Sequence, residues 1–190
     1  MTNPHLMSRM TQDKSIPRLV DNPALNRRYV HTLQFMQTAL PPPARILDLG
    51  APNPFSHIMQ EQGYNVLNTQ GDLDETPEVV QGRDVEAVTA FEILEHLVGP
   101  LNVLRAIDAP RLFATVPLQL WFAKPYTNPN DPWDRHFHEF EDWQFDWLLE
   151  KAGWSIVRSE KWTSPSRALG FRPLLRRITP RYYAVEAVRA

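Results

Sequence analysis

The chain has 190 residues, of which 43% are hydrophobic and 22% charged, with a formal net charge of −2. That is enough chain for a substantial core, and so small a charge gives no global attraction to nucleic acid or anionic membrane. With no cysteine, disulfides, thiolate metal sites and a cysteine nucleophile are excluded.

Residues 1–21 show no periodicity and read as an N-terminal arm before one domain spanning 22–190. The start, Met1 to Lys14, is polar and lacks the apolar core of a signal peptide, and no apolar run reaches membrane-spanning length, so a cytoplasmic protein is expected. Asn22-Pro23 marks a helix start, with Asn22 as N-cap and Pro23 at the first helical position. Leu25, Tyr29, Leu33, Met36 and Leu40 follow at spacings of three and four, and Pro41-Pro42-Pro43 ends the helix. Arg45 to Leu49 reads as a strand, Phe55 to Gln62 as a helix stopped by Gly63, and Tyr64 to Thr69 as a second strand. Residues 71–84 are acidic and loop-like, with room for a short helix after Pro77. Glu86 to Ala90 is a strand, Ile93 to Ile107 a helix broken at Gly99-Pro100, and Arg111 to Val116 a strand closed by Pro117. Leu118 to His138 is a long, proline-rich, aromatic loop. Asp142 to Ala152 is a helix, Trp154 to Trp162 a strand, Ser164 to Pro180 a basic irregular segment, and Tyr182 to Val188 the last strand. Trp143, Trp147, Trp154 and Trp162 read as core.

Strands alternating with helices predict an α/β fold, a mostly parallel sheet flanked by helices. The last two strands have no convincing helix between them and read as an antiparallel edge pair. No repeat and no second domain is visible.

Residues 45–56, Arg-Ile-Leu-Asp-Leu-Gly-Ala-Pro-Asn-Pro-Phe-Ser, are the most informative stretch. An apolar strand ends in an acid and a glycine and turns into a helix, where free backbone N–H groups can receive a carboxylate or phosphate. Pro52 and Pro54 each remove a donor. Pro54 suits the first helical position, and Asn53 offers a side-chain amide in compensation.

Three separated segments together resemble the class I S-adenosylmethionine-dependent methyltransferases. They are Ile46-Leu47-Asp48-Leu49-Gly50; Val88 to Leu97, which contains Leu94-Glu95-His96; and His138-Glu139-Phe140 with Trp147 to Trp154. Their order and spacing agree over roughly residues 44–162. The resemblance implies a Rossmann-like methyltransferase fold with a seven-stranded sheet, S-adenosylmethionine as cofactor and a small-molecule substrate. It places Asp48, Gly50, Ala51, Asn53, Phe91 and Glu92 at the cofactor. The acid that this family puts after its second strand aligns with Gln70; in another register Asp72 matches an adenine-contacting aspartate, so both are candidates. Asp48 also has a plainer reading, as a buried aspartate that ties down a loop.

If the acceptor must lose a proton, the base is His96 or His138. For Glu95-His96 the alternative is a helix-start carboxylate beside a structural histidine. His136 and His138 share one face if extended, and with Asp134 and His96 they offer metal donors. The resemblance gives His138 as a feature without metal, and no metal ligand set is assigned. Trp121, Tyr126, Trp133 and His136 are the substrate candidates on the aromatic loop, against the alternative of plain packing. Arg167, Arg172, Arg176, Arg177 and Arg181 read as a solvated basic edge rather than a phosphate site. No Asn-Pro-Pro-Tyr-type tetrapeptide follows the fourth strand, so nucleic acid is a disfavoured partner; no membrane partner and no particular oligomeric state is indicated. The expected function is methyl transfer to a small molecule. The alternative is a catalytically inactive binding or partner protein with the same fold, a reading the proline-substituted turn motivates.

Overall fold

The computed structural model describes residues 18–131, 134–165 and 169–190. Most of the expected arm, Trp133 and Arg167 lie outside the described residues.

The first helix, α1 (Pro23–Ala39), begins where local chemistry dictates. Asn22 Oδ1 accepts the Ala24 and Leu25 N–H groups at 3.0 and 3.1 Å, and Pro23 takes the first position, where no donor is needed. Asn26 Oδ1 accepts from the N–H groups of Leu19 and Val20 at 2.6 and 3.1 Å, which ties the preceding residues against the helix start.

The remaining elements follow as β1 (Arg45–Asp48), α2 (Pro54–Glu61), β2 (Asn65–Asn68), β3 (Ala87–Phe91), α3 (Pro100–Ala106), β4 (Arg111–Pro117), α4 (Asp142–Lys151), β5 (Trp154–Thr163), α5 (Phe171–Leu175) and β6 (Pro180–Arg189). They build one six-stranded sheet in the order β2-β1-β3-β4-β6-β5. The first four strands are mutually parallel, and β6 runs antiparallel to both β4 and β5. Alternate residues feed two cores. Ile46, Ala87 and Phe113 face α1 and α2, whereas Leu47, Val88 and Leu112 face α3 and α4.

Among the described residues the sheet has six strands, where seven are expected. Between β2 and β3 the chain is rich in Asp and Glu, with Pro77 and Gly82 as breakers, and its one apolar pair enters a 3-10 turn at Pro77–Val80. Nothing there alternates well enough to add an edge. The expected helix over 93–107 splits into a 3-10 turn, Leu94–His96, and α3, which restarts at Pro100. The Asp74 carboxylate accepts the Val98 and Gly99 N–H groups exposed by this break, at 2.8 and 2.7 Å. The basic segment holds the short helix α5. Trp154 and Trp162 are core, and Trp154 donates to the Leu104 carbonyl at 2.9 Å. Trp143 and Trp147 are exposed instead: Phe145 and Leu149 take the inner face of α4, and residues two positions away point outward. Among the described residues no helix is long and apolar enough to cross a membrane.

The N-cap of α1 gives a simple check. Asn22→Ala should cost about 1 kcal/mol, and a thermal melt should fall by roughly 2–4 °C. An unchanged melting temperature would mean that the cap contributes nothing.

Candidate active site

The carboxyl ends of β1, β2 and β3 meet at one buried carboxylate. Asp48, only 3% exposed, accepts a hydrogen bond from Thr89 Oγ1 at 2.7 Å, from Asn68 Nδ2 at 3.2 Å and from Asn53 Nδ2 at 3.4 Å. Burial outweighs these bonds, and its pKa is pushed up to about 6.

Beyond Asp48 the turn closes on itself. Gly50 adopts φ +92°, which favours glycine, and a Cβ there would stand 2.8 Å from Ile93 Cδ1, so the end of that side chain would have to move. Its N–H donates to Thr69 Oγ1 at 2.7 Å. Asn53 caps α2, its Oδ1 accepting from the Phe55 and Ser56 N–H groups at 2.9 and 3.1 Å, while Asn53 N–H donates to Ser56 Oγ at 2.9 Å. Pro54 sits at the first helical position, as expected. The donors expected to receive an anion are therefore mostly used internally. Ala51 N–H is the donor of this turn left without an acceptor among the described residues.

Three cavities surround the segment after β3. The first, about 300 Å³, is walled by Arg28, Asp48, Gly50, Asn53, Glu92 and Thr115 among others. The second, about 590 Å³, shares Gly50, Ala51 and Ile93 with it and adds Asp72, Leu97, Val98 and Phe137. The third, about 400 Å³, shares Arg28 and Glu92 with the first and His96 with the second, and adds Tyr126, Asp134, His136 and Arg181.

Glu92 lines both the first and the third cavity. It holds φ +53°, a conformation that non-glycine residues seldom adopt. Arg28 of α1 donates to its Oε2 at 3.0 Å, and the buried Thr115 hydroxyl stands beside the carboxylate and favours its charged form, although Glu92 Oε1 and Thr115 Oγ1 do not meet in good hydrogen-bond geometry. Burial holds the Glu92 carboxyl above the ordinary carboxylate range, with Arg28 pulling it back. Burial, then the nearby Glu92 charge, pushes Glu95 well above that range too.

The aromatic loop is tied to the turn after β3. The N–H groups of Phe137 and His138 both donate to the Glu95 carbonyl, at 2.8 and 3.2 Å, and His96 Nδ1 donates to the Arg135 carbonyl at 3.1 Å. Tyr126 donates its hydroxyl proton to Asp134 at 2.5 Å, and its N–H reaches Glu139 at 3.0 Å. Glu95, His96 and His136 offer three metal-type donor atoms within 4.8 Å of one another. A bound ion draws its ligands closer, to about 2.0–2.2 Å from itself, and the guanidiniums of Arg28 and Arg181 line the same cavity. The arrangement is better described as a polar network.

The structure gathers Asp48, Gly50, Ala51, Asn53, Phe91 and Glu92 around one cavity and puts Asp72 in the wall of the next. Gln70 is exposed and lines none of the three, because the buried contact at the end of β2 is made by Thr69. His96 lines two cavities. His138 lines none: it stacks on Phe140 and its Nε2 lies 3.3 Å from the Val98 carbonyl. Tyr126 and His136 line the third cavity, whereas Trp121 is 73% exposed and packs edge-on against Phe122. Arg28, Ile93 and Thr115 were not anticipated as site residues. Arg28 carried one signal, a charge directly beside the apolar face of α1.

Two predictions follow the electrostatics. Asp48 keeps its proton in the folded chain at pH values where the unfolded chain has lost it, so it stabilises below about pH 4 and loses that contribution as pH rises through about 6. Asp48→Asn should flatten this part of a urea-midpoint against pH curve, by up to about 3 kcal/mol; an unchanged slope would rule out the buried titration. Arg28→Met should destabilise by about 2–3 kcal/mol by stranding Glu92, and adding Glu92→Gln should recover part of it. Strict additivity of the two changes in denaturant unfolding would show that the pair does not couple.

No family model matches the chain, and no curated protein matches it. Solved structures do. A proposed S-adenosylmethionine-dependent methyltransferase from Listeria monocytogenes superposes with TM-score 0.59 at 14% identity, covering 86% of this chain and 99% of its own. An S-adenosylmethionine-dependent methyltransferase from Mesorhizobium loti gives 0.56 at 16% identity, covering 85% and 98%. A proposed methyltransferase in complex with the Haloferax volcanii Trm112 methyltransferase activator gives 0.54 at 12%, covering 87% and 91%. The six-stranded sheet, with its cavities at the carboxyl ends of the parallel strands, has the Rossmann-like fold of the class I S-adenosylmethionine-dependent methyltransferases.

Proposed function

We propose that this protein is a cytoplasmic S-adenosylmethionine-dependent methyltransferase acting on a small molecule, with residues 22–190 as one catalytic domain. The observation that carries this reading is the first cavity. It brings Asp48, Glu92 and Arg28 together beside Gly50, which suits the ammonium and carboxylate of an amino acid. The Glu92 carboxylate and the Thr115 hydroxyl, buried side by side in this wall, offer oxygens that an ammonium group would satisfy. The larger cavity next to it, with Leu73, Ile93, Leu97 and Val98 beside Asp72, suits a planar base and a ribose. The cofactor, when bound, supplies an electrophilic methyl group on sulfur.

The chain's own tasks are alignment and exclusion of water. Arg28 and Glu92 close one side of the site, and the acceptor falls to the third cavity, whose Tyr126, Asp134, His136 and Arg181 suit a polar group. His96 takes a proton from the acceptor where one must leave. Its Nδ1–H is held by the Arg135 carbonyl, which leaves Nε2 as the accepting nitrogen.

The second reading is a non-catalytic binding or partner protein of the same fold, and the self-closed turn at Gly50 to Ser56 favours it. Calorimetry separates the two. S-adenosylhomocysteine should bind in the micromolar range, and Ala51→Trp, at an exposed position lining two cavities, should abolish binding with the circular dichroism unchanged. No heat from folded protein at millimolar ligand would remove the enzyme reading.

A further inference from the structure

The acidic and basic residues are unevenly spread. From Lys161 to Val185 there is no Asp or Glu, although the whole chain is net negative. The described part of this stretch contains Arg172, Arg176, Arg177 and Arg181, and within it α5 runs from Phe171 to Leu175 and continues as helical turns to Ile178. None of the α5 side chains is buried. Phe171, Leu174 and Ile178 recur at spacings of three and four and are 69%, 57% and 72% exposed, with Leu169 before them 97% exposed. Single exposed apolar residues are ordinary, but four large ones within ten residues are not. Apolar side chains at helical spacing, flanked by arginines and free of acids, match a helix that lies in the interface of an anionic bilayer. Nucleic acid would use the arginines and gain nothing from the leucine, isoleucine and phenylalanine.

The position of this patch gives it a purpose. α5 leads directly into β6, whose first residues pair with the carboxyl end of β4 in the register Pro117 with Tyr182. Leu118 N–H donates to the Arg181 carbonyl, and Arg181 Nη1 donates to the Leu118 carbonyl, both at 2.7 Å. Arg181 and Tyr182 then line the 400 Å³ polar cavity. The patch is thus covalently adjacent to the acceptor cavity, at the same end of the sheet.

We infer that the Leu169–Ile178 segment docks on an anionic phospholipid surface and presents the third cavity to acceptors carried by that membrane. The docking is independent of any methyl transfer. The lipid-borne acceptor rests on the methyltransferase reading.

Co-sedimentation with vesicles tests the docking. The full chain should pellet with phosphatidylcholine vesicles that contain phosphatidylglycerol, less with phosphatidylcholine alone, and less as salt rises. Phe171→Ser with Leu174→Ser and Ile178→Ser should weaken binding at least tenfold. Arg172→Gln with Arg176→Gln and Arg177→Gln should weaken it on the order of a hundredfold, about fivefold for each arginine near the surface. All six side chains are exposed, so circular dichroism and S-adenosylhomocysteine binding should be unchanged in both variants. Wild-type protein left in the supernatant of anionic vesicles overturns the docking, as does an apolar variant that still pellets. A patch that instead drives self-association in sedimentation equilibrium, or that retains an oligonucleotide through its arginines alone, overturns it in favour of that occupant.

The acceptor is read separately, with methyl-labelled S-adenosylmethionine and a total lipid extract of the source organism. Label should enter the organic phase with wild-type protein and fall at least tenfold with the apolar variant. Label that enters only water-soluble products, from protein that binds both vesicles and S-adenosylhomocysteine, overturns the lipid-borne acceptor and leaves the docking standing. Failure of the methyltransferase reading appears elsewhere, as absent calorimetric heat.

Discussion

The buried carboxylate of Asp48 is the constraint on which the site depends. It belongs to β1, yet its hydrogen bonds reach Thr89 of β3, Asn68 of β2 and Asn53 at the cap of α2. A parallel sheet aligns strands through the backbone but leaves their carboxyl ends free to splay. One acceptor group shared by three elements removes that freedom. The expense is visible in its raised proton affinity, since so enclosed a carboxylate keeps its charge poorly. Where burial is this deep, the bonds contribute more to fixing positions than to net stability.

A second polar layer builds on the first. Glu92 follows β3 in a conformation few side chains adopt, and Arg28 crosses from α1 to meet it. A helix that precedes the sheet in sequence thereby becomes a wall of the site. The same geometry leaves acceptor atoms of Glu92, Glu95 and Thr115 buried and unmatched. All three residues line the first or third cavity, whereas the fourth such residue among those described, Trp162, lines none of the three.

Much of the fold could be read from local chemistry. Asn22-Pro23 and Asn53-Pro54 start helices because a side-chain acceptor and a missing N–H fit there wherever they occur. The six strands lie within a residue or two of where their composition places them. Tertiary context decided the rest. Whether Trp143 and Trp147 are inside depends on which face of α4 turns inward, and Phe145 and Leu149 won that face. Gln70 and Thr69 are neighbours just past the end of β2, and Thr69 is the buried one because its hydroxyl accepts the Gly50 N–H, a contact across 19 residues that no local pattern announces. His138 and His136 diverge because their loop is irregular, so the period-two expectation had no strand to act on. Arg28 was hidden for a simpler reason: its partner is 64 residues away, and no local pattern encodes such a pairing.

The two prolines of the first turn have an effect outside the folded state. Each restricts its own φ and the residue before it, so in the unfolded chain this segment samples few conformations. With Asn53 and Ser56 bonded reciprocally, little disorder remains to be lost when a ligand settles against Gly50. Glycine-rich turns of this kind gain their close approach at the expense of mobility. Here a single glycine keeps the approach, and the prolines make the turn a rigid rim, shaped before anything binds.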